Sequence, residues 1–167
     1  MNLEYDFQWS SRTSIYGFYY KLEEDNTRAT KVSEGGIMTI CKGTKPLETG
    51  KKYMLEYSIN YVNGDLDVGF GDERCENSCW LRCSYGYCIT SKGIFILGTN
   101  VNSNLNLINA KNITFIVDLI KNKAEISIDE QKIYTFDINQ DLIYYPMIAI
   151  RQLNNSVKLK ITELNEE

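Results

Sequence analysis

The feature that most constrains the fold is a period-two alternation of apolar and polar residues that recurs along the chain. In YMLEYSINY, residues 53–61, every second side chain is apolar or aromatic, and LDVGF, residues 66–70, alternates in the same way. Successive side chains of a strand point to opposite faces, so this pattern predicts strands with one buried and one solvated face. It places Asp67 and Gly69 on the solvated face.

Polar turns separate the predicted strands. NGD at 63–65 predicts that the first two segments form one hairpin. KNK and DEQ separate ITFIVDL, AEISI and KIYTF, and PMIAI and SVKLKIT supply two closing strands. Because helical spacing is scarce, we expect an all-β fold, an antiparallel β-sandwich of two sheets. The predicted core comprises Leu55, Tyr57, Ile59, Val68, Phe70, Phe115, Val117, Ile126, Leu159 and Ile161.

Length and charge narrow the class of protein. A chain of 167 residues has the usual size of one domain. Its net charge of -4 argues against nucleic-acid binding, which needs clustered lysine and arginine. The start MNLEYDFQWS has no basic or apolar segment of a secretory signal, and no apolar run is long enough for a membrane span. We therefore expect a cytoplasmic monomer without nucleic-acid or membrane partners.

Four of the five cysteines fall within CENSCWLRCSYGYC, residues 75–88. Their spacing differs from the CxxC pairs that are typical of zinc sites, and the chain has no histidine. An odd cysteine count and a reducing compartment argue against a structural disulfide. We expect residues 71–90 to form an extended connection or a short strand pair in which Cys79, Cys83 and Cys88 pack as small apolar side chains. Zinc and a disulfide remain the alternatives, so whether this cluster binds metal stays open.

The sequence contains no convincing set of catalytic residues. Without histidine, cysteine and serine nucleophiles lack their usual base. EISIDE at 125–130 is similar to the ExDxxE signature of jelly-roll glycosidases, but Ser127 stands where an aspartate is expected. The adjacent Asp129 and Glu130 point to opposite faces of a strand. The sequence therefore predicts that the protein is not an enzyme and has no cofactor or metal.

Taken in order, several segments resemble a SPRY domain, also called B30.2/SPRY. They are TRATKVSEGGIMTICKGTKPLETGKKYMLEYSI, GDLDVGFGD, SYGY, NITFIVDLIKNKAEISIDEQKIYTF and DLIYYPMIAIRQLNNSVKLKI. The resemblance covers residues 28–162. Tyr85 stands where the family often has tryptophan, DEQ replaces an NG turn, and the cysteine cluster is foreign to the family pattern.

The resemblance implies a concanavalin A-like sandwich at 28–162, a segment 1–27 that packs on it and an acidic tail at 163–167. It implies a non-catalytic module that recognises a protein or peptide through loops at one end of the sandwich, often as the substrate-recruiting part of a larger assembly. The residues that it assigns to partner binding are Arg151, Gln152 and Leu153, with Tyr85 and Tyr87 close by.

The alternative function is that of a lectin-like sandwich. Such a protein stacks an aromatic ring on a sugar and often holds calcium with Asp and Asn oxygens. Trp80, Tyr85 or Tyr87 would supply the ring, and the Asn-rich loop at 99–112 would supply oxygens.

Overall fold

The computed structural model describes residues 2–10, 20–32, 38–78 and 80–165. Within these residues the regular structure is strand, apart from one turn of 3₁₀ helix at Glu73–Asn77, and no helix is long and apolar enough to cross a membrane. The described strands are β1 (Leu3–Tyr5), β2 (Tyr20–Glu23), β3 (Arg28–Lys31), β4 (Thr39–Lys42), β5 (Lys52–Asn60), β6 (Leu66–Gly71), β7 (Gly86–Thr90), β8 (Gly93–Ile96), β9 (Thr99–Asn102), β10 (Asn112–Asp118), β11 (Lys123–Ile128), β12 (Gln131–Asp137), β13 (Tyr145–Ile150) and β14 (Ser156–Leu164).

The strands form two antiparallel sheets that pack face to face, which confirms the predicted sandwich. The first sheet has the order β12-β11-β10-β5-β14-β3-β2, with β1 also paired to β14. The second has the order β4-β13-β6-β7-β8-β9. In the first sheet Phe115 lies opposite Leu55, which in turn lies opposite Ile161, so the alternating apolar positions of three strands share one inner face.

The core between the sheets matches the predicted set closely. Every predicted core residue is buried except Ile59, which is half-buried and packs against the edge of the core. The centre is aromatic: Phe70 stacks on Tyr87 at 5.0 Å and meets Phe115 edge-on at 5.8 Å between ring centroids. The hydroxyl of Tyr57 crosses the core and donates to the Gly69 carbonyl, so this buried polar group is satisfied.

The hairpin predicted from NGD is wrong. β5 lies in the first sheet, and β6 lies in the second sheet between β13 and β7. The turn at 63–65 is therefore a crossover between sheets. Both segments have the alternation of a strand, but alternation alone does not identify a strand's hydrogen-bonding partner. By contrast, β10, β11 and β12 form the meander that KNK and DEQ predict.

The outer face of β6 is also buried, contrary to the prediction that Asp67 and Gly69 are solvated. All six residues of β6 are buried, because residues 72–85 fold back over the outside of the second sheet. We call residues 72–85 the covering loop; within it, Cys79 lies outside the described residues. The loop contributes Cys75 and Leu81 to a second apolar cluster with Cys88 and Met147 of the sheet.

The described part of the N-terminal segment contacts the sandwich at several points. β1 extends the first sheet, with Leu3 opposite Glu163. Trp9 is buried, meets Phe7 edge-on and donates from Nε1 to the Thr27 carbonyl at 2.8 Å. At the other terminus β14 continues to Leu164, past residue 162. The division into 1–27, 28–162 and 163–167 remains a prediction.

Candidate binding surface at one end of the sandwich

Four loops meet at one end of the two sheets. The Arg151 amide donates to the Asp65 carbonyl at 3.1 Å, the Ser91 amide to Leu66 at 3.0 Å and the Leu107 amide to Thr90 at 3.1 Å. These bonds bring together residues 61–65, 90–92, 103–110 and 151–155. We call these four segments the loop end.

The side-chain amides of Asn155 and Gln152 hold two of these loops in place. Asn155 is fully buried; its Oδ1 accepts the Val62 amide at 2.6 Å and its Nδ2 donates to the Asn63 carbonyl at 2.6 Å. Gln152 Oε1 accepts the Asp65 amide at 3.0 Å. Because side-chain amides satisfy the backbone of 62–65, this turn is held by specific contacts to the neighbouring loop.

A cluster of charged side chains around Asp65 lies at the base of the same loops. The Asp65 carboxylate lies 3.3 Å from Arg151 Nη1, 3.5 Å from Arg82 Nη2 and 3.7 Å from Lys92 Nζ. Burial alone would raise the pKa of Asp65, but the charges of Arg82, Lys92 and Arg151 outweigh it and lower that pKa. Asp65 is therefore ionised at neutral pH and shared among three cations.

Arg82 also makes a fully buried ion pair. Its guanidinium lies 2.7 Å from Asp67 Oδ1, and Asp67 also accepts the Leu81 amide at 3.2 Å. The Asp67 side chain is 0% exposed, and burial raises its pKa to about 6 although Arg82 opposes the rise. This pair attaches the covering loop to β6. The sequence analysis assigned Asp67 to solvent and did not single out Arg82. The only sequence signal for this ion pair was that each of the two charged residues lies inside an otherwise apolar segment.

Arg151, Gln152 and Leu153 lie together at the loop end, and their role in partner binding stays a prediction. Arg151 and Leu153 are exposed, at 46% of the Arg151 side chain and 36% of Leu153, whereas Gln152 is half-buried and supports the loop. Two further apolar side chains are exposed there, Val62 at 55% and Ile108 at 42%. Sequence reasoning did not find these two, because alternation carries no information inside a loop.

Tyr85 lies at the other end of the second sheet. The β6 residue Leu66 pairs with Ile150, next to Arg151, and Gly71 pairs with Gly86, next to Tyr85. Since β6 separates the two positions, they are roughly 17 Å apart at about 3.3 Å per residue. Tyr85 is exposed and lies under the Arg74 guanidinium, 4.0 Å from its ring centroid.

The structure corrects the placement of Tyr87 on a binding surface. Tyr87 is fully buried, stacks on Phe70 and Phe136 and accepts the Asn139 amide at 3.0 Å through its hydroxyl. Residues two apart share one face of a strand, but this does not apply to Tyr85 and Tyr87, because Tyr85 lies before the start of β7. A partner cannot reach Tyr87 while the core is intact.

Three cysteines, Cys75, Cys83 and Cys88, line the contact between the covering loop and the second sheet. Cys75 and Cys88 are buried and Cys83 is half-buried, so the predicted burial of Cys83 and Cys88 is confirmed. For residues 71–90 we predicted an extended connection or a short strand pair. The structure has a 3₁₀ turn at Glu73–Asn77, an irregular segment and then β7, which pairs with β6. No group of three or more potential metal ligands occurs among the described residues, which exclude Cys79.

The residues suspected of sugar chemistry have structural partners. Glu125 lies 3.0 Å from Lys132 Nζ on the neighbouring strand, and the Asp129 carboxylate accepts the Asn112 amide at 2.9 Å. In the Asn-rich loop, Asn102 Oδ1 accepts two amides of its own loop. Trp80 is exposed and has Arg82 near its ring. None of these observations favours a lectin or a glycosidase over a strand, a turn or a loop contact.

Comparison with known proteins shows similarity at the level of the fold. No protein-family model and no curated protein matches the sequence. The structure is similar to the TRIM65 PSpry domain, with a TM-score of 0.71 and 11% identity over 93% of this chain and 90% of that one. It is also similar to the SPRY domain of human HERC1, with a TM-score of 0.66 and 15% identity over 89% and 97% of the two chains. Stonustoxin matches with a TM-score of 0.65 and 14% identity, and this chain spans 26% of its length.

Proposed function

We propose that this chain, which has a SPRY-like fold, is a non-catalytic module that binds a protein or peptide partner at the loop end. The fold supports a protein-interaction module in general. The finer statements belong to the proposal: the module acts as a cytoplasmic monomer, binds neither nucleic acid nor membrane, and recruits a substrate to a larger assembly.

The observation that carries the proposal is an exposed arginine next to exposed apolar side chains on loops that are already fixed. Arg151, Leu153 and Val62 are exposed, while Asn155 and Gln152 hold the backbone beneath them. A loop that is ordered before binding loses less conformational entropy when a partner docks. Arginine is among the residues that contribute most to binding energy at protein interfaces.

The charges indicate what kind of peptide would fit. Arg82, Lys92 and Arg151 share the two carboxylates Asp65 and Asp67, which leaves one positive charge in excess among these five groups. Apolar side chains of the loop end flank this charge. A segment that combines a carboxylate with an apolar side chain is complementary to both features.

Selection of peptides from a random phage-displayed library on the immobilised protein tests the proposal. We expect enriched peptides to combine an acidic and an apolar residue. Arg151→Ala should weaken their binding by about 2 kcal/mol, roughly 30-fold in the dissociation constant. Leu153→Asp should weaken the same peptides without lowering the melting temperature, because Leu153 is exposed.

Arg74→Ala is the matched control. Arg74 is also exposed and also pairs with an aspartate, Asp72, but it lies at the opposite end of β6. Equal binding by the wild type and the Arg151→Ala variant, with loss of binding in the Arg74→Ala variant, would move the partner site to the Tyr85 end. Failure of the library to enrich any common motif would overturn the proposal of a peptide-binding module.

A further inference from the structure

Two thiols of the covering loop lie within contact distance. The Sγ atoms of Cys75 and Cys83 are 3.3 Å apart, and both cysteines are reduced in this structure. A disulfide bond is about 2.05 Å long, so the sulfurs need to approach by only about 1.3 Å. The pairing of Gly71 with Gly86 brings the two arms of the loop together at its base.

Glycine at the base of the loop makes room for the sulfurs. A Cβ atom added to Gly71 would lie 2.5 Å from Cys75 Sγ, and one added to Gly86 would lie 3.5 Å from it. A side chain at Gly71 would therefore displace Cys75 from its position beside Cys83. The close approach of the two thiols therefore depends on glycine at position 71, whereas 3.5 Å from Gly86 is an ordinary contact.

The two thiols differ in access to solvent and in acidity. Cys75 is fully buried, whereas Cys83 is only partly buried. The contact with Cys75 lowers the pKa of Cys83, although burial opposes the shift, and the same contact together with burial raises the pKa of Cys75. The more accessible cysteine is thus also the more acidic of the two, and thiolate is the reactive form of a cysteine.

We propose that Cys75 and Cys83 are a peroxide-sensitive modification site that closes reversibly to a disulfide. The Cys83 thiolate attacks a peroxide oxygen, the O–O bond breaks, and the products are a sulfenic acid at Cys83 and, for hydrogen peroxide, hydroxide that takes up a proton to become water. Cys75 then attacks the Cys83 sulfur, the S–O bond breaks, and the leaving hydroxide takes the Cys75 proton as water. The two thiols lose two electrons in total, which reduce one peroxide to two waters. Only Cys83 needs to meet the oxidant, so the burial of Cys75 is no obstacle.

This pairing differs from a structural disulfide of a secreted protein. In a reducing compartment a thiol pair with one accessible member is oxidised only transiently and is restored by cellular thiols. Oxidation would join the 3₁₀ turn to the segment that leads into β7. Arg82, the neighbour of Cys83, is the residue that attaches the covering loop to Asp67.

Oxidation of the whole protein with a small excess of hydrogen peroxide tests the proposal. The intact mass of the oxidised protein should be two hydrogens per chain below that of the reduced protein. After alkylation the oxidised protein should carry two fewer alkyl groups than the reduced protein, and dithiothreitol should reverse both changes. Digestion with trypsin, Glu-C and chymotrypsin separates all four clustered cysteines, since cleavage after Arg74, Glu76, Arg82 and Tyr85 is available. The expected product is the peptide 75–76 linked to the peptide 83–85.

Cysteine variants identify the order of events. In Cys75→Ser the reaction should stop at a sulfenic acid on Cys83, which dimedone traps, whereas Cys83→Ser should show neither product. Cys41→Ser is the matched control: Cys41 is buried in the main core and its substitution should leave the link intact. A link through Cys79 or Cys88, a link between two chains, or no loss of hydrogens would overturn the proposal. The peptide map of the wild type decides the matter even if a variant fails to fold.

Discussion

Replacing Arg82 by methionine is expected to destabilise the protein strongly, because it leaves the Asp67 carboxylate buried without its counter-ion. In the wild type this carboxylate is 0% exposed and contacts the Arg82 guanidinium at 2.7 Å. After the substitution the Leu81 amide, at 3.2 Å, remains as a donor. Removing one partner of a buried ion pair costs about 3–5 kcal/mol. This is a large part of the roughly 5–15 kcal/mol by which a domain is stable.

Substituting the other partner of the pair, Asp67→Asn, should lower the free energy of unfolding by less, about 1–3 kcal/mol. Arg82 would still lie 3.5 Å from Asp65 and 3.4 Å from Ser91 Oγ, and an asparagine oxygen can replace Oδ1 as acceptor. Arg82→Met is expected to be more destabilising than Asp67→Asn, because it leaves the Asp67 carboxylate without a cation, whereas Arg82 keeps Asp65 and Ser91 as partners. Urea denaturation at pH 7 measures both free energies of unfolding.

The pH dependence provides an independent check. Burial raises the pKa of Asp67 to about 6, and loss of Arg82 removes the effect that opposes this rise. A carboxyl with a folded pKa above its unfolded value of about 3.9 favours folding at low pH, and that contribution is lost as the pH rises through the folded pKa. The difference in stability between wild type and Arg82→Met should therefore be small near pH 4 and largest above pH 7.

Two results would refute this reasoning. One is a cost below about 1 kcal/mol for Arg82→Met, the value expected for a solvent-screened surface pair. The other is a difference in stability that stays constant between pH 4 and pH 8. Lys21→Met is a suitable control, since the Lys21 pair with Glu23 is exposed and its removal should change little at either pH.

Three further predictions concern the core, the loop end and the N-terminal segment, each measured by urea denaturation. Phe115→Ala should cost about 3–5 kcal/mol because the ring is fully buried, against less than about 0.5 kcal/mol for the exposed Ile120→Ala; similar costs would contradict the core assignment. Asn155→Ala should cost about 1–3 kcal/mol and speed amide exchange at Val62, and unchanged exchange would show that the loop is held otherwise. Trp9→Ala should cost about 3–5 kcal/mol, and a neutral effect would mean that residues 1–27 do not pack on the sandwich.

The sequence was sufficient to predict where strands occur and which of their faces enters the core. Alternation has the same period as a strand, so Leu55, Phe115 and Ile161 were assigned correctly to one buried face. Alternation could not show which strands are hydrogen-bonded to each other. β5 and β6 have the same pattern and a turn between them, yet they lie in different sheets, because pairing depends on long-range contacts that no local pattern encodes.

The candidate site was predictable only in part, for a related reason. Arg151 and Leu153 were found through their position after a strand of the resembled family. The exposed Val62 and the buried Asn155 were not, because their roles arise only when two distant loops meet. The period-two pattern assigned Asp67 to the solvent face because such a pattern assumes that nothing covers the second face of the strand, whereas the covering loop does so here.

The position of β14 in the first sheet has a consequence for the order of folding. β14 is the last described strand along the chain, yet it lies inside the sheet, between β5 on one side and β3 and β1 on the other. During synthesis the meander of β10, β11 and β12 can form from local contacts, but β5 keeps an open edge until residues 156–164 emerge from the ribosome. Pairings such as Leu3 with Glu163 join residues that are far apart in the chain, and we expect them to form late. Folds dominated by such contacts mature in about milliseconds to seconds. We therefore expect the β5 edge, which β14 covers in the folded sheet, to be the edge open to aggregation until β14 has paired.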